Sequence, residues 1–529
     1  MVYGTGIDMI ELARVERACQ NAHFKERVFT KEERRQAARS SARLAGDFAV
    51  KEAIAKAFGL GFRMFELRDI ACLRDEKGAP YVELYGKAKT LSQSLGIVKI
   101  HVSISNTKTY AVASVILEQS EAKKNDFSMR EPLSRKEETA MEDIPCSRIY
   151  AKIDLDAIRA NMLAMKAKLP ETCSLCAVVK ADGYGHGAAY VAKEIDDLCK
   201  LYAVASAEEG VRLRESGINK PVLVLGSVLL PEYETALEND LTLTVFRLEQ
   251  AKQLGKAAEK AGKTAHIHLA VDTGMGRIGL TPDETGVKEA KAIASVPHVQ
   301  IDGVFTHFAK ADETDKTSAK KQIAKFCSFR EQLKTHGVDT AAMLWHCANS
   351  AGIIENLGLD GFDLARAGVS LYGLFPSDET GKHIVLQPAM SLHAYLTFVK
   401  EVPKGTEISY GGTYRTPHAM RVGTVSCGYA DGYLRALSGK GAEVLIAGKR
   451  CPVLGRICMD QLMVDLSNVP EAGEGTPVTL LGQDGSEQIT VEELAQKSGG
   501  FHYEILCGIS RRVPRVYVKE NRITAISND

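Results

Sequence analysis

The fold of this chain is decided by the stretch VVKADGYGHG, residues 178–187. An apolar run from Leu175 leads into it and predicts a buried strand that ends at a lysine. A loop with three glycines follows, and a helical pattern begins near Ala188. Burial disfavours the charged amine, so Lys180 is suited to form a Schiff base with an aldehyde cofactor. The alternative is an ordinary strand-end lysine whose amine reaches water.

Composition limits the class of protein. The chain has 529 residues, which predicts about two to four domains, and 45% of them are hydrophobic and 25% charged. A formal net charge of zero argues against nucleic-acid binding. No apolar run is long enough to span a bilayer, and the N-terminal segment has no signal-peptide core. We therefore expect a cytoplasmic protein with reduced thiols, and we assign Cys173 and Cys176 to the core.

Strand and helix patterns alternate between residues 148 and 385. Strand-like runs end near Lys180, Ala205, Leu225, Val245, Val271, Phe305, Cys347 and Ala365. A first helix is predicted at 156–168, and later ones at 188–198, 208–215, 249–261, 284–294 and 319–335. About eight strands with helices between them in roughly 235 residues predict a (β/α)₈ barrel. In such a barrel the functional side chains lie at the C-terminal ends of the strands.

Those strand ends carry a set of side chains typical of a cofactor site: Lys180, Arg277, His307, Asn349, Ser350 and Arg366. Backbone N–H groups of Gly368 and Val369, after the last strand, are placed to bind a phosphate. A phosphorylated aldehyde bound there and linked to Lys180 would be pyridoxal phosphate. Arg366 would then lie near its ring nitrogen and keep that nitrogen unprotonated, which favours racemisation over transamination.

Short strands separated by glycine and proline turns fill residues 386–529 and predict an all-β domain, with one helix near 491–497. Tyr410 lies in the sequence ISYGG and Met459 in GRICMDQ. Spacing alone does not identify Tyr410 as a catalytic residue.

Residues 148–529 resemble alanine racemase from end to end. The motifs that carry the resemblance are VVKADGYGHG, DTGMGRIG, THFAKAD, ANSAG, ARAGVSLYG, SYGGTY, GYADGY and GRICMDQ. The resemblance implies a fold-type III pyridoxal phosphate enzyme that interconverts L- and D-alanine and supplies D-alanine for peptidoglycan. It assigns the cofactor and one base to Lys180, the second base to Tyr410, the substrate contacts to Arg277 and Met459, and the phosphate contacts to Tyr184, Ser350, Gly368 and Val369.

The resemblance further implies a homodimer in which Tyr410 acts in the barrel of the partner. Arg366 and His307 would supply a positive field that favours deprotonated Tyr410. Two positions depart from the family pattern. Ala270 stands where many members carry a carbamylated lysine, so Arg277 is expected to be held differently, for example by a small anion. Arg511 stands where many members have a tyrosine near the phosphate. Two alternatives to an alanine racemase remain. One is a racemase of another small amino acid such as serine, and the other is a non-enzymatic carrier of pyridoxal phosphate.

Residues 1–118 combine strand and helix patterns in an α+β arrangement, beginning with a strand and a helix from about Leu12. Helical spacing places Glu52 on an apolar face, and Asp8 also lies among apolar residues. Two such carboxylates, with Lys51 and Lys56 beside them, suit Mg²⁺ shared with a diphosphate. A structural ion pair between Glu52 and a lysine is equally consistent with the residues alone.

This segment resembles holo-[acyl-carrier-protein] synthase through GTGIDMIELARVER, FKERVFTKEE, FAVKEAIAKAFG and VSISNTKTYAVA. The resemblance implies transfer of 4′-phosphopantetheine from coenzyme A to a serine of acyl carrier protein, a step of fatty acid biosynthesis. Asp8 and Glu52 then match magnesium ligands and Lys56 a lysine at the phosphates. Asn106 departs from the family, where many members have a histidine. An inactive module that only docks the carrier protein is the alternative.

Basic residues cluster in the first helices and suit an acidic carrier protein: Arg14, Arg17, Lys25, Arg27, Arg34, Arg35, Arg39 and Arg43. Residues 119–147 are rich in Lys, Glu, Ser and Arg and predict a flexible linker. The sequence therefore predicts a bifunctional enzyme with domains at 1–118, 148–385 and 386–529. We expect a homo-oligomer, with a racemase dimer and further association through the N-terminal domain.

Overall fold

The computed structural model describes residues 2–19, 22–37, 40–58, 67–75, 78–107, 109–119 and 148–527. The chain divides into two units, residues 1–131 and 132–529, which are described separately below. Of the predicted linker, only Gln119 lies within the described residues, where it ends a strand. Arg39 also lies outside them. Within the described ranges, every helix is too short or too polar to serve as a membrane span.

The N-terminal unit is built on a three-stranded antiparallel sheet in which Tyr110–Gln119 lies between Val2–Glu11 and Ile97–Asn106. The helix Ser41–Ala57 packs on this sheet. Gly4 and Gly6 permit the close approach, because a Cβ at Gly6 would lie 1.9 Å from the backbone oxygen of Ala53 in that helix. These glycines therefore serve packing.

The remaining elements of this unit are the helices Leu12–Cys19, Ala22–Val28, Lys31–Gln36 and Gly86–Ser94, and a two-stranded sheet of Ile70–Arg74 and Pro80–Leu84. Ile97–Asn106 and Tyr110–Gln119 form a hairpin, since the first strand ends at Asn106 and the next begins at Tyr110. The sequence missed the strand Ile70–Arg74 and the helix Gly86–Ser94.

The predicted barrel is confirmed. Eight parallel strands close when Leu364–Ala367 pairs with Ser174–Val178. The others, in chain order, are Leu201–Val204, Val222–Val224, Thr242–Val245, Ala265–Ala270, Val299–Phe305 and Leu344–His346. The helices around them are Leu155–Lys166, Ala188–Glu194, Ala207–Glu215, Tyr233–Glu238, Leu248–Lys260, Glu284–Ala294, Thr317–Thr335 and Ser350–Ile354. Cys173 and Cys176 are buried in the core, as expected.

The all-β part is a 10-stranded sheet. Its strands are Ile149–Asp154, Met390–Val402, Met420–Val425, Glu443–Ile446, Lys449–Leu454, Leu462–Asp465, Pro477–Asp484, Glu487–Ile489, Arg515–Lys519 and Arg522–Ser527. A small pair, Glu407–Ile408 and Tyr414–Arg415, and the helices Val491–Ser498 and His502–Gly508 complete it.

One strand corrects the predicted division at residue 385. Ile149–Asp154 precedes the barrel in the chain, yet it pairs with Met390–Val402 and Arg515–Lys519 in the sheet. The alternation of buried and half-buried residues along it suits a strand with one face on a core. The β part therefore contains both ends of the racemase-like segment.

Candidate active sites

Lys180 lies at the mouth of the barrel, in a cavity of about 670 Å³. The strand Ser174–Val178 positions it, and the cavity is also lined by Arg277, His307 and Arg366. Burial lowers the pKa of the Lys180 amine, and the nearby charge of Arg277 lowers it further. A larger fraction of the Lys180 amine is therefore neutral and nucleophilic than in a free lysine. The cavity around it is large enough for a small-molecule ligand.

The glycine loop after Lys180 is a left-handed turn. Ala181, Asp182, Gly183 and Tyr184 have φ values of 53°, 51°, 61° and 52°. Left-handed backbone costs roughly 1–2 kcal/mol for each residue other than glycine, so the surroundings must hold this turn in place. The carboxylate of Glu209 accepts the Ala181 N–H at 2.8 Å.

Hydroxyl groups surround Gly368 at the phosphate position predicted from the sequence. A Cβ at Gly368 would lie 3.4 Å from the Ser350 Oγ and 3.4 Å from the Tyr184 hydroxyl, so a side chain would fill this cradle. The Gly368 N–H donates to the Ser350 Oγ at 3.0 Å. Asn349 caps the next helix through its Oδ1, which accepts from Gly352. The Val369 N–H and the hydroxyl hydrogens of Ser350 and Tyr184 are the candidate phosphate donors.

Arg366 is a buried cation at the barrel mouth, with 3% of its surface exposed. Its guanidinium donates to the Nδ1 atoms of His346 at 2.9 Å and His307 at 3.1 Å, and to the Thr306 carbonyl at 2.8 Å. Burial, followed by the charge of Arg366, lowers the pKa of His307 to about 3. His307 and His346 are therefore neutral at pH 7 and Arg366 is the cation among these three residues, so His307 does not add to the positive field that the sequence analysis expected from both.

Tyr410 and Met459 lie elsewhere. They line a separate cavity of about 580 Å³, and 68% of Tyr410 and 52% of Met459 are exposed. Ser409, which precedes Tyr410, has a φ of 66°, and its hydroxyl donates to the Arg456 carbonyl. Within one chain, Tyr410 therefore lies in a different cavity from Lys180. It is also separated from Arg366, which lines the Lys180 cavity.

The two departures from the family pattern differ in their surroundings. Ala270 is buried at the end of its strand, while Arg277 is exposed in the Lys180 cavity. Arg511 does not line that cavity. It lines a neighbouring one of about 630 Å³, on the other side of the turn that follows Lys180.

Sequence reasoning missed Tyr503 and Cys507, which line the Lys180 cavity from the helix His502–Gly508. The ring of Tyr503 meets that of Tyr184 edge-on at 6.0 Å, and burial raises its pKa. No local pattern identifies these residues, because they reach the cavity only when a helix of the β part packs on the barrel.

Asp8 and Glu52 line one cavity of about 650 Å³ in the N-terminal unit, together with Arg14. Lys56 forms an ion pair with Asp8, with 2.8 Å between Nζ and Oδ1. Burial raises the pKa of Glu52, and the charge of Asp8 raises it further. Two carboxylates that repel each other are suited to share a cation. The described residues contain no cluster of three or more His, Cys, Asp or Glu that would form a metal site without added ligands.

Lys51 corrects the prediction that both lysines of the helix Ser41–Ala57 accompany the carboxylates. Its Nζ is fully buried and pairs with Glu33 at 2.9 Å. It also donates to the Leu67 carbonyl at 3.0 Å. Lys51 is therefore part of the core, and only Lys56 remains beside Asp8. Some of the basic residues expected to attract a carrier protein are also paired, such as Arg35 with Glu32.

The fold and the Lys180 cavity define a (β/α)₈-barrel enzyme with an attached β domain. Residues 153–376 match the family model of the alanine racemase N-terminal domain, and residues 389–517 that of its C-terminal domain. An alanine racemase of Methanococcus maripaludis is 43% identical over 70% of this chain and 98% of its own length. One of Desulforamulus reducens is 44% identical over 70% and 99%. The chain belongs to the alanine racemase family.

Solved structures agree. Alanine racemase of Clostridium difficile 630 superposes with a TM-score of 0.69 and 39% identity, covering 72% of this chain and 98% of that chain. A histidine racemase of Leuconostoc mesenteroides has a TM-score of 0.65 and 26% identity over 71% and 100%. Residues 4–115 match the family model of the 4′-phosphopantetheinyl transferase superfamily. Both predicted enzyme classes, and the bifunctional organisation, are thus supported.

Proposed function

We propose that residues 148–529 interconvert L- and D-alanine with pyridoxal phosphate, through Lys180 and Tyr410 as the two bases. The observation that carries the proposal is the lysine with a lowered pKa in a cavity that also holds Arg366 and a cradle of hydroxyl groups. We infer alanine as the substrate from the family. The similar fold of a histidine racemase indicates that the fold alone does not determine which amino acid is racemised. The product would be D-alanine for peptidoglycan, made in the cytoplasm.

The residues present fit the cofactor. Lys180 would hold its aldehyde carbon, while Ser350, Tyr184 and Val369 would donate to its phosphate. Arg366 would lie near the ring nitrogen. A guanidinium donates hydrogen bonds but cannot accept one, and it is positively charged, so it would favour the unprotonated form of that nitrogen. When bound, pyridoxal phosphate makes the α-hydrogen of the amino acid acidic by withdrawing electrons from Cα.

Arg277 is exposed in the same cavity and would orient the substrate carboxylate. Racemisation removes a proton from one face of Cα and returns one to the other face. A substrate held by these contacts cannot rotate to present its other face to the same base, so each face needs its own base. Lys180 serves one face. Tyr410 serves the other, and its exposure in a separate cavity supports a homodimer in which it reaches the Lys180 cavity of the partner chain.

Trapping the cofactor tests the assignment of Lys180. Purified protein treated with pyridoxal phosphate and borohydride should carry one stable adduct, on the peptide that contains Lys180. Lys180→Ala should lose the adduct and racemisation, and keep phosphopantetheine transfer. An adduct that persists in this variant would contradict the assignment. Assays on a panel of L-amino acids decide between alanine and serine as the substrate.

We further propose that residues 1–118 transfer 4′-phosphopantetheine from coenzyme A to a serine of acyl carrier protein. Asp8 and Glu52 would bind Mg²⁺, which neutralises the charge of the diphosphate in coenzyme A, since Mg²⁺ accepts few protein ligands and keeps phosphate and water oxygens. Lys56, half exposed beside Asp8, would contact a phosphate. Arg14 lies in the same cavity and suits an anionic ligand.

A further inference from the structure

His186 lies beneath the left-handed turn that follows Lys180. Its side chain is fully buried, and its Nδ1 is 3.0 Å from the carbonyl oxygen of Gly183 and 3.0 Å from that of Tyr184. Carbonyl oxygens only accept hydrogen bonds, so the Nδ1 must carry the hydrogen and donate to both. The two acceptors belong to residues with φ values of 61° and 52°, in the left-handed part of the backbone.

The surroundings of the other ring nitrogen keep His186 neutral. Its Nε2 has no hydrogen-bond partner among the described residues, and the ring borders a small cavity of about 30 Å³. Met390, Leu481 and Leu506 line this cavity. Gln488, Thr490 and Glu492 also line it, but the His186 ring is fully buried. A second proton would be removed from water, so burial lowers the pKa of His186 to about 4, and the charge of Arg515 also acts to lower it. The tautomer with hydrogen on Nδ1 is therefore the one present at neutral pH.

Tyr372 connects His186 to the segments on both sides of Lys180. Its ring centroid lies 4.5 Å from that of His186 and 4.9 Å from that of Tyr184. Its hydroxyl donates to the Val178 carbonyl at 3.0 Å, at the end of the strand that leads to Lys180. The residues before and after the lysine thus rest on one buried group of rings.

We propose that His186 is a positioning residue, whose Nδ1 hydrogen holds the left-handed turn that presents Lys180 and Tyr184 to the cavity. It acts through the carbonyl groups of Gly183 and Tyr184, since it does not line the Lys180 cavity. The role rests on the proposed function of Lys180 as the cofactor lysine. It gives a reason for a buried histidine that the two-base reaction does not use.

Two substitutions in the full chain separate the hydrogen bond from the volume of the ring. The amide nitrogen of His186→Asn can occupy the place of Nδ1 and donate, while His186→Leu fills the space without a donor. The probe is pyridoxal phosphate, added to cofactor-free protein at several pH values and trapped with borohydride. The amount of modified Lys180 peptide gives the affinity and the pH dependence of the amine. His186→Asn should stay within about two-fold of wild type.

His186→Leu should bind the probe at least ten-fold more weakly, and its trapping should require higher pH, because a loosened turn exposes the amine to water. A merely structural histidine would lower the thermal midpoint without moving the pH dependence. Unchanged trapping in folded His186→Leu overturns the proposal. If that variant does not fold, His186→Asn decides, since weak trapping in a folded Asn variant also overturns it. No trapping at Lys180 in wild type would refute the cofactor assignment itself.

Discussion

The two candidate sites are assembled in different ways. In the N-terminal unit, Asp8 and Glu52 line the same cavity, because the strand Val2–Glu11 and the helix Ser41–Ala57 pack directly on each other. In residues 148–527, Lys180 and Tyr410 line different cavities of one chain. Contacts within one unit bring Asp8 and Glu52 together, whereas Lys180 and Tyr410 stay apart in one chain and would meet only between chains of the proposed dimer.

The N-terminal side of this comparison is tested by Glu52→Gln. Loss of the carboxylate should remove Mg²⁺ binding and abolish transfer of phosphopantetheine to carrier protein, while racemisation stays at the wild-type rate. Glu11→Gln, a change of the same kind in the same cavity, is the matched control and should retain transfer. Normal transfer by Glu52→Gln, or transfer that needs no divalent ion, would show that Glu52 is not a metal ligand.

The divided site is tested by Tyr410→Phe. Net racemisation should fall by about 10²–10⁴-fold, the usual contribution of a positioned acid or base. In D₂O, D-alanine should still exchange its α-hydrogen through Lys180, while L-alanine should not. Exchange of L-alanine at the wild-type rate would leave Tyr410 without a role as a base, and His307 would be the next residue to change.

Mixing the two inactive chains sharpens that result. A dimer of one Lys180→Ala chain and one Tyr410→Phe chain would contain one site with both bases intact. Random mixing should restore roughly a quarter of wild-type racemisation if the tyrosine acts across the interface. No recovery in dimers shown to contain both chains would place the two bases within one chain.

A smaller effect is expected from pH on the free energy of unfolding of the second unit, which contains both the barrel and the β part. Burial lowers the pKa of His268 to about 3 and of His186 and His393 to about 4. Since the unfolded chain binds these protons near pH 6.5, stability should be complete above that pH and fall between about 6.5 and 4. Each histidine contributes at most about 1.4 kcal/mol per pH unit. Urea unfolding followed by Trp345, buried in the barrel and the one tryptophan of the sequence, measures this. A constant midpoint from pH 7 to 5 would contradict it.

The smallest effect should come from separating the two units. If residues 119–147 are only a tether, 1–118 and 148–529 expressed as separate proteins should retain transfer and racemisation at wild-type rates. Loss of racemisation by the isolated 148–529 segment would show that the divided site also depends on the N-terminal unit.

Much of the fold follows from the sequence, because strand and helix periodicity are local properties. The barrel strands end within a few residues of the predicted positions, and the strand before Lys180 places that lysine at the barrel mouth. The strand Ile149–Asp154 was missed, since its pairing depends on strands more than 200 positions later in the numbering. Tyr503 and Cys507 were missed for the same kind of reason.

The sequence by itself determined which chemical groups are present and at which strand ends they lie. Only the tertiary structure decided which groups meet. Lys51 and Lys56 belong to one helix, yet Lys51 is buried with Glu33 while Lys56 is half exposed beside Asp8. Helical spacing gives the two lysines different faces, but what covers each face depends on elements distant in the chain. Burial, pKa and the separation of Tyr410 from Lys180 all follow from such packing, which local patterns do not encode.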